Sequence, residues 1–89
     1  MSLESLEKNV EKELMERDAI EKFYRGHRTL FNARATGKRE LWDKGFQIVT
    51  DAEKDLKTLG LQEKEVYEKM LKDFEDEGFD TKNPPGKNY

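Results

Sequence analysis

Between Lys22 and Arg39 the chain places six bases and no acid: Lys22, Arg25, Arg28, Arg34, Lys38 and Arg39. Phe23, Tyr24, His27 and Phe31 lie among them, and Trp42 follows. A guanidinium fork grips phosphate or carboxylate oxygens through two parallel N–H bonds, and aromatic faces stack on nucleobases. The segment is therefore a candidate site for an anionic partner, with Lys22, Tyr24, Arg25, Arg28, Arg34, Lys38 and Arg39 as contact residues. On a helix, Arg25, Arg28 and Thr29 share one surface, whereas Phe23, His27 and Phe31 point elsewhere.

The plainer reading of the same residues makes Phe23, Leu30 and Phe31 core and pairs the bases with acids of the same protein. Segment charges support it. Residues 1–21 carry seven acids and three bases, residues 22–39 six bases, and residues 40–89 thirteen acids and eight bases. A basic island between two acidic arms can be neutralised within the fold or across a dimer. That reading leads here, ahead of an acidic protein partner and of nucleic acid or a phosphorylated small ligand. Net acidity opposes nonspecific binding to a nucleic-acid backbone.

Other chemistry fails on its residue requirements. His27 is the only histidine and there is no cysteine, so a zinc site would need three carboxylates around one imidazole. Asp73, Glu75, Glu77 and Gly78 copy the start of a calcium-binding loop, but Asp80 and Pro84 stand where an apolar residue and a bidentate Glu belong. No phosphate-cradling glycine loop and no Ser, His and Asp order occurs. Leu56 to Phe74 has the order of a helix-turn-helix, but seven acids against three lysines on the second helix would be repelled from a major groove. No catalytic residue, metal or cofactor is expected.

These side chains must be positioned by helices. Leu3, Leu6, Val10, Leu14, Ile20, Phe23, His27, Leu30 and Phe31 recur mostly at steps of three and four, an amphipathic helix over about 3–35. Gly26 inside it points to a kink or a close backbone approach. Leu41, Trp42, Gly45, Phe46, Ile48, Val49, Ala52, Leu56 and Leu59 form a second period, about 38–59, closed by Gly60. Phe46 to Val49 could instead form a short strand, with Thr50 and Glu53 capping a new helix, but a lone strand has no partner. A third helix, about 62–77, starts with Gln62 as cap, Glu65 at the third position and Leu61 stapled onto Val66. Its apolar stripe is Val66, Tyr67, Met70, Leu71 and Phe74. Residues 80–89, with Asn83, Pro84, Pro85 and Gly86, have no period and read as a flexible tail.

Residues 1–79 thus form one all-α domain. Thr36 and Gly37 turn it into an antiparallel hairpin or three-helix bundle, preferred over one long central helix interrupted by the polar Arg34 and Lys38. A chain of 89 residues buries only about 60 to 65% of its unfolded surface. With 34% hydrophobic and 42% charged residues the core is thin, and self-association would add buried area. No long apolar run and no basic leader is present, so a cytoplasmic location, in a cell or a host cell, and no membrane contact are expected. The functional expectation is a non-enzymatic helical adaptor or inhibitor, a homo-oligomer that binds another protein. Nucleic-acid or nucleotide binding through residues 22–39 is the alternative.

Overall fold

The computed structural model describes residues 3–86 and 89, with backbone alone for residues 3–6. Three helices follow in order: α1 (Leu3–Thr36), α2 (Arg39–Thr58) and α3 (Glu63–Asp76). Gly37, at φ +67°, turns α1 back into α2. The Gly37 amide donates to the Ala33 carbonyl at 2.8 Å and closes the last turn of α1. Phe46 to Val49 lie inside α2, where the helical period buries Gly45, Val49, Ala52, Glu53 and Leu56.

α1 and α2 pack as an antiparallel hairpin, and two glycines set how closely. A Cβ built on Gly26 would lie 2.7 Å from Val49 Cγ2 and 2.8 Å from the Val49 backbone nitrogen. One on Gly45 would lie 2.7 Å from Leu30 Cδ2. Each helix thus gives up a side chain where the other inserts a branched one, which fixes register as well as separation. The close approach expected at Gly26 is what the helices use.

α3 closes over this hairpin with Tyr67, Met70 and Phe74 buried. Phe74 sits edge-on to Phe31 at 5.3 Å and to Tyr24 at 5.9 Å between ring centroids. Gln62 holds the N-cap position but makes no side-chain cap hydrogen bond, so the expected capping box is absent. The first turn is closed instead by the Val66 amide on the Gln62 carbonyl at 3.1 Å. The exchange is small, because Glu63 and Glu65 in that turn still complement the helix dipole.

Of the segment 80–89, expected as a flexible tail, the structure describes residues 80–86 and 89, and Phe79 leads into it. The segment is irregular, yet it lies on the helices. Phe79 packs on Phe31 and Phe74, with centroids at 5.3 and 5.1 Å, and Pro85 is buried. The Arg34 guanidinium donates to the Asp80 carbonyl at 2.9 Å and to the Asn83 carbonyl. Tyr89 reaches the core beside Phe23, His27 and Tyr67. Aromatic residues without a period can still bury area, which periodicity does not register. Lys87 and Asn88 lie outside the described residues.

The molecule measures 52 × 25 × 19 Å. At about 1.5 Å per residue a helix of α1's 34 residues spans the whole long axis, whereas the 20 of α2 cover about 30 Å. The N-terminal part of α1 therefore projects beyond the hairpin as an arm.

Candidate interaction surface

The fold divides the basic island. Lys22 Nζ meets Asp55 Oδ2 of α2 at 3.4 Å. The Tyr24 hydroxyl donates to Asp73 Oδ2 of α3 at 2.7 Å. Burial, then the Asp73 hydrogen bond, raises the Tyr24 pKa well above its usual value of 10.0. Arg28 donates from one guanidinium nitrogen to both Glu77 oxygens, at 2.9 and 3.0 Å, and lies over the Phe74 ring at 5.1 Å. Arg34 is taken by the two tail carbonyls and lies over Phe31 at 5.2 Å. Four of the seven expected contact residues are thus engaged with their own chain. Arg25, Lys38 and Arg39 are exposed, Arg25 on α1 and the other two at the hairpin turn. The structure does not bring the seven together as one patch.

The pair Arg28 and Glu77 also shows how little such contacts stabilise. Both side chains are more than 40% exposed, so solvent screens the attraction. Arg28→Ala is expected to lower stability by no more than about 1 kcal/mol, part of it from the contact with the Phe74 ring. Urea unfolding monitored by circular dichroism measures this, and a loss above about 2 kcal/mol would contradict it.

The aromatics of the island are committed as well. Phe23 and Phe31 are core, and Trp42 is half-buried and stacked on Phe46 at 6.0 Å, with 25° between planes. His27 is fully buried, edge-on to Phe23 at 4.5 Å, with Nε2 3.3 Å from the Tyr89 hydroxyl. Burial lowers its pKa from 6.5 to about 4. Tyr89 also hydrogen-bonds Glu53 of α2; burial and then that carboxylate raise its pKa. His27, Tyr67 and Tyr89 thus face one another within the core, with Glu53 hydrogen-bonded to Tyr89 beside them. Among the described residues no group of three His, Cys, Asp or Glu side chains is placed to hold a metal ion, and no helix is long and apolar enough to cross a membrane.

A second surface lies on the arm. Every residue from Glu7 to Met15 is exposed, including Val10 at 53%, Leu14 at 51% and Met15 at 58%. At the root of the arm a groove of about 390 Å³ opens between α1 and the end of α2, lined on α1 by Met15, Asp18, Ala19 and Lys22 and on the other side by Asp55, Thr58 and Leu59. At about 100° per residue, Val10 and Leu14 lie roughly 170° around α1 from Ala19, Phe23, Gly26 and Leu30, which face the core. A single apolar stripe read along α1 joined two faces that look in opposite directions. The signal was present: the stripe as read steps six residues from Leu14 to Ile20 and passes over Met15 and Ala19, of which Ala19 belongs to the core.

Comparison of the chain with known protein families, curated proteins and solved structures finds no match.

Proposed function

We propose that this is a small non-enzymatic helical binding protein, an adaptor or inhibitor, that acts by self-association and by engaging another protein. The observation that carries the reading is the exposed apolar side of the projecting arm, Val10 and Leu14 with Met15 nearby, in a chain whose other apolar side chains are mostly buried. Contiguous exposed apolar groups rimmed by charge mark protein contact surfaces. Isolated helices this short are marginal in water, so a partner on the arm would stabilise it.

Binding of nucleic acid through residues 22–39 draws less support. Lys22, Tyr24, Arg28 and Arg34 are held by their own chain, and Trp42 already stacks on Phe46. Titration with oligonucleotides and nucleotides is expected to leave Trp42 fluorescence unchanged. A salt-dependent signal that disappears in Arg25→Ala would reverse the order of the two readings. The binding-protein reading is tested by light scattering at tens of micromolar together with pull-down: a strict monomer that recovers no protein partner overturns it.

A further inference from the structure

The exposed side of the arm can be given an occupant, an inference that rests on the binding reading above. Glu7, Val10, Leu14, Arg17 and Glu21 follow one another along one side of α1 at steps of three and four, the repeat of a two-helix seam. Two apolar layers flanked by one acid and one base restrict what can lie against them. A parallel copy in register would put Glu7 against Glu7 and Arg17 against Arg17. An antiparallel copy, related by a twofold axis beside Lys12, puts Val10 opposite Leu14 and Glu7 opposite Arg17. Each pairing then occurs twice, as an isologous contact requires. Opposed unlike charges set register and direction where apolar area alone does not.

The length of the arm fits the same arrangement. With the axis beside Lys12, position 3 aligns with Glu21 of the other copy, an overlap of about 28 Å. The overlap ends before Tyr24, the first residue of α1 seen to meet α3. The two hairpins then stand at opposite ends of the helix pair, clear of each other. Arg17 is free to change partner, because its bond to Glu21 at 3.4 Å joins two side chains that are both more than 60% exposed.

We propose that the arm of α1 pairs with the arm of a second copy of this chain, antiparallel, through Val10 on Leu14 and Glu7 on Arg17. The chain has no cysteine, so single-cysteine variants report the pairing cleanly. Val10→Cys mixed with Leu14→Cys under mild oxidation is expected to give a mixed disulfide dimer, ahead of either variant alone, because the bond needs Cα atoms within about 7 Å. Sedimentation of the unmodified chain is expected to show a dimer at tens of micromolar. Glu7→Arg and Arg17→Glu should each weaken it about tenfold, and the double variant E7R/R17E should restore it to within about threefold. All four positions are on the exposed side of the arm, and circular dichroism checks that the helices persist.

A monomer at about 200 µM, a concentration at which even weak pairs with Kd in the micromolar range are populated, overturns the pairing. So does a Val10→Cys variant that links to itself as fast as to Leu14→Cys, the result a parallel pair gives. A monomer that still binds a protein partner removes the second copy and leaves the partner-binding part of the reading standing. A monomer that binds none removes both.

Discussion

Phe74→Ala is expected to cost about 3 to 5 kcal/mol, and to lower Tm by roughly 15 to 30 °C. The side chain is fully buried and touches two other parts of the fold: Tyr24 and Phe31 of α1, and Phe79 of the C-terminal segment. No backbone glycine brings α3 against α1 as Gly26 and Gly45 bring α1 against α2, so this ring carries much of the docking. Its removal leaves a cavity that the hairpin cannot collapse without moving α3, the costly end of the range for such truncations. Against a total stability of about 4 to 13 kcal/mol for a domain of this length, the loss runs from about a third of what is available to all of it. Phe74→Leu refills most of the volume and should recover more than half of the loss. Thermal melts followed by far- and near-ultraviolet circular dichroism measure both variants. A loss below about 1 kcal/mol would mean that α3 does not depend on this contact.

The second large effect is with pH. His27 titrates near 4 when folded and near 6.5 when unfolded. Between those values the unfolded chain binds a proton that the folded chain refuses, so stability falls as pH drops through 6.5 and the loss is complete below about 4. Above 6.5 both states are neutral and the contribution is constant. At about 1.4 kcal/mol per pH unit the full loss is about 3 kcal/mol, of which about 2 kcal/mol has gone by pH 5. Tyr67 and Tyr89, which face the imidazole, have raised pKa values and remain neutral throughout this range. Urea unfolding at pH 7.5 and pH 5 should therefore show a drop in the parent chain and a much smaller one in His27→Phe. Equal drops in the two would place the pH dependence on carboxylates instead.

Much of the architecture was legible in the residues. Three helices, the turn at Gly37 and the packing of α1 on α2 follow from apolar spacing and from glycines at the stops. Gly26 announced a close approach because an unneeded helix breaker in a strong helical period has to serve packing. Two things were not legible. Residues 79–86 and Tyr89 show no period because they are held by individual contacts, through rings, a proline and the Arg34 guanidinium. Which bases of the island would be engaged depended on where α2 and α3 place Asp55, Asp73 and Glu77, a tertiary fact without local signal. The two directions of the apolar side of α1 could have been read from the six-residue step between Leu14 and Ile20 in that stripe, had its phase been followed as well as its spacing.

The docked C-terminal segment also implies an order of events. Contacts between α1 and α2 join residues on either side of one short turn, whereas Tyr89 meets His27 across 62 positions of chain. Short loops close first, since closure entropy rises with the length enclosed. During synthesis, when N-terminal elements emerge first, the hairpin forms while Phe23 and His27 still face water. The aromatic seat between the helices is therefore expected to take shape before Tyr89 fills it, and Tyr89 fluorescence during refolding should change after the helical signal has formed.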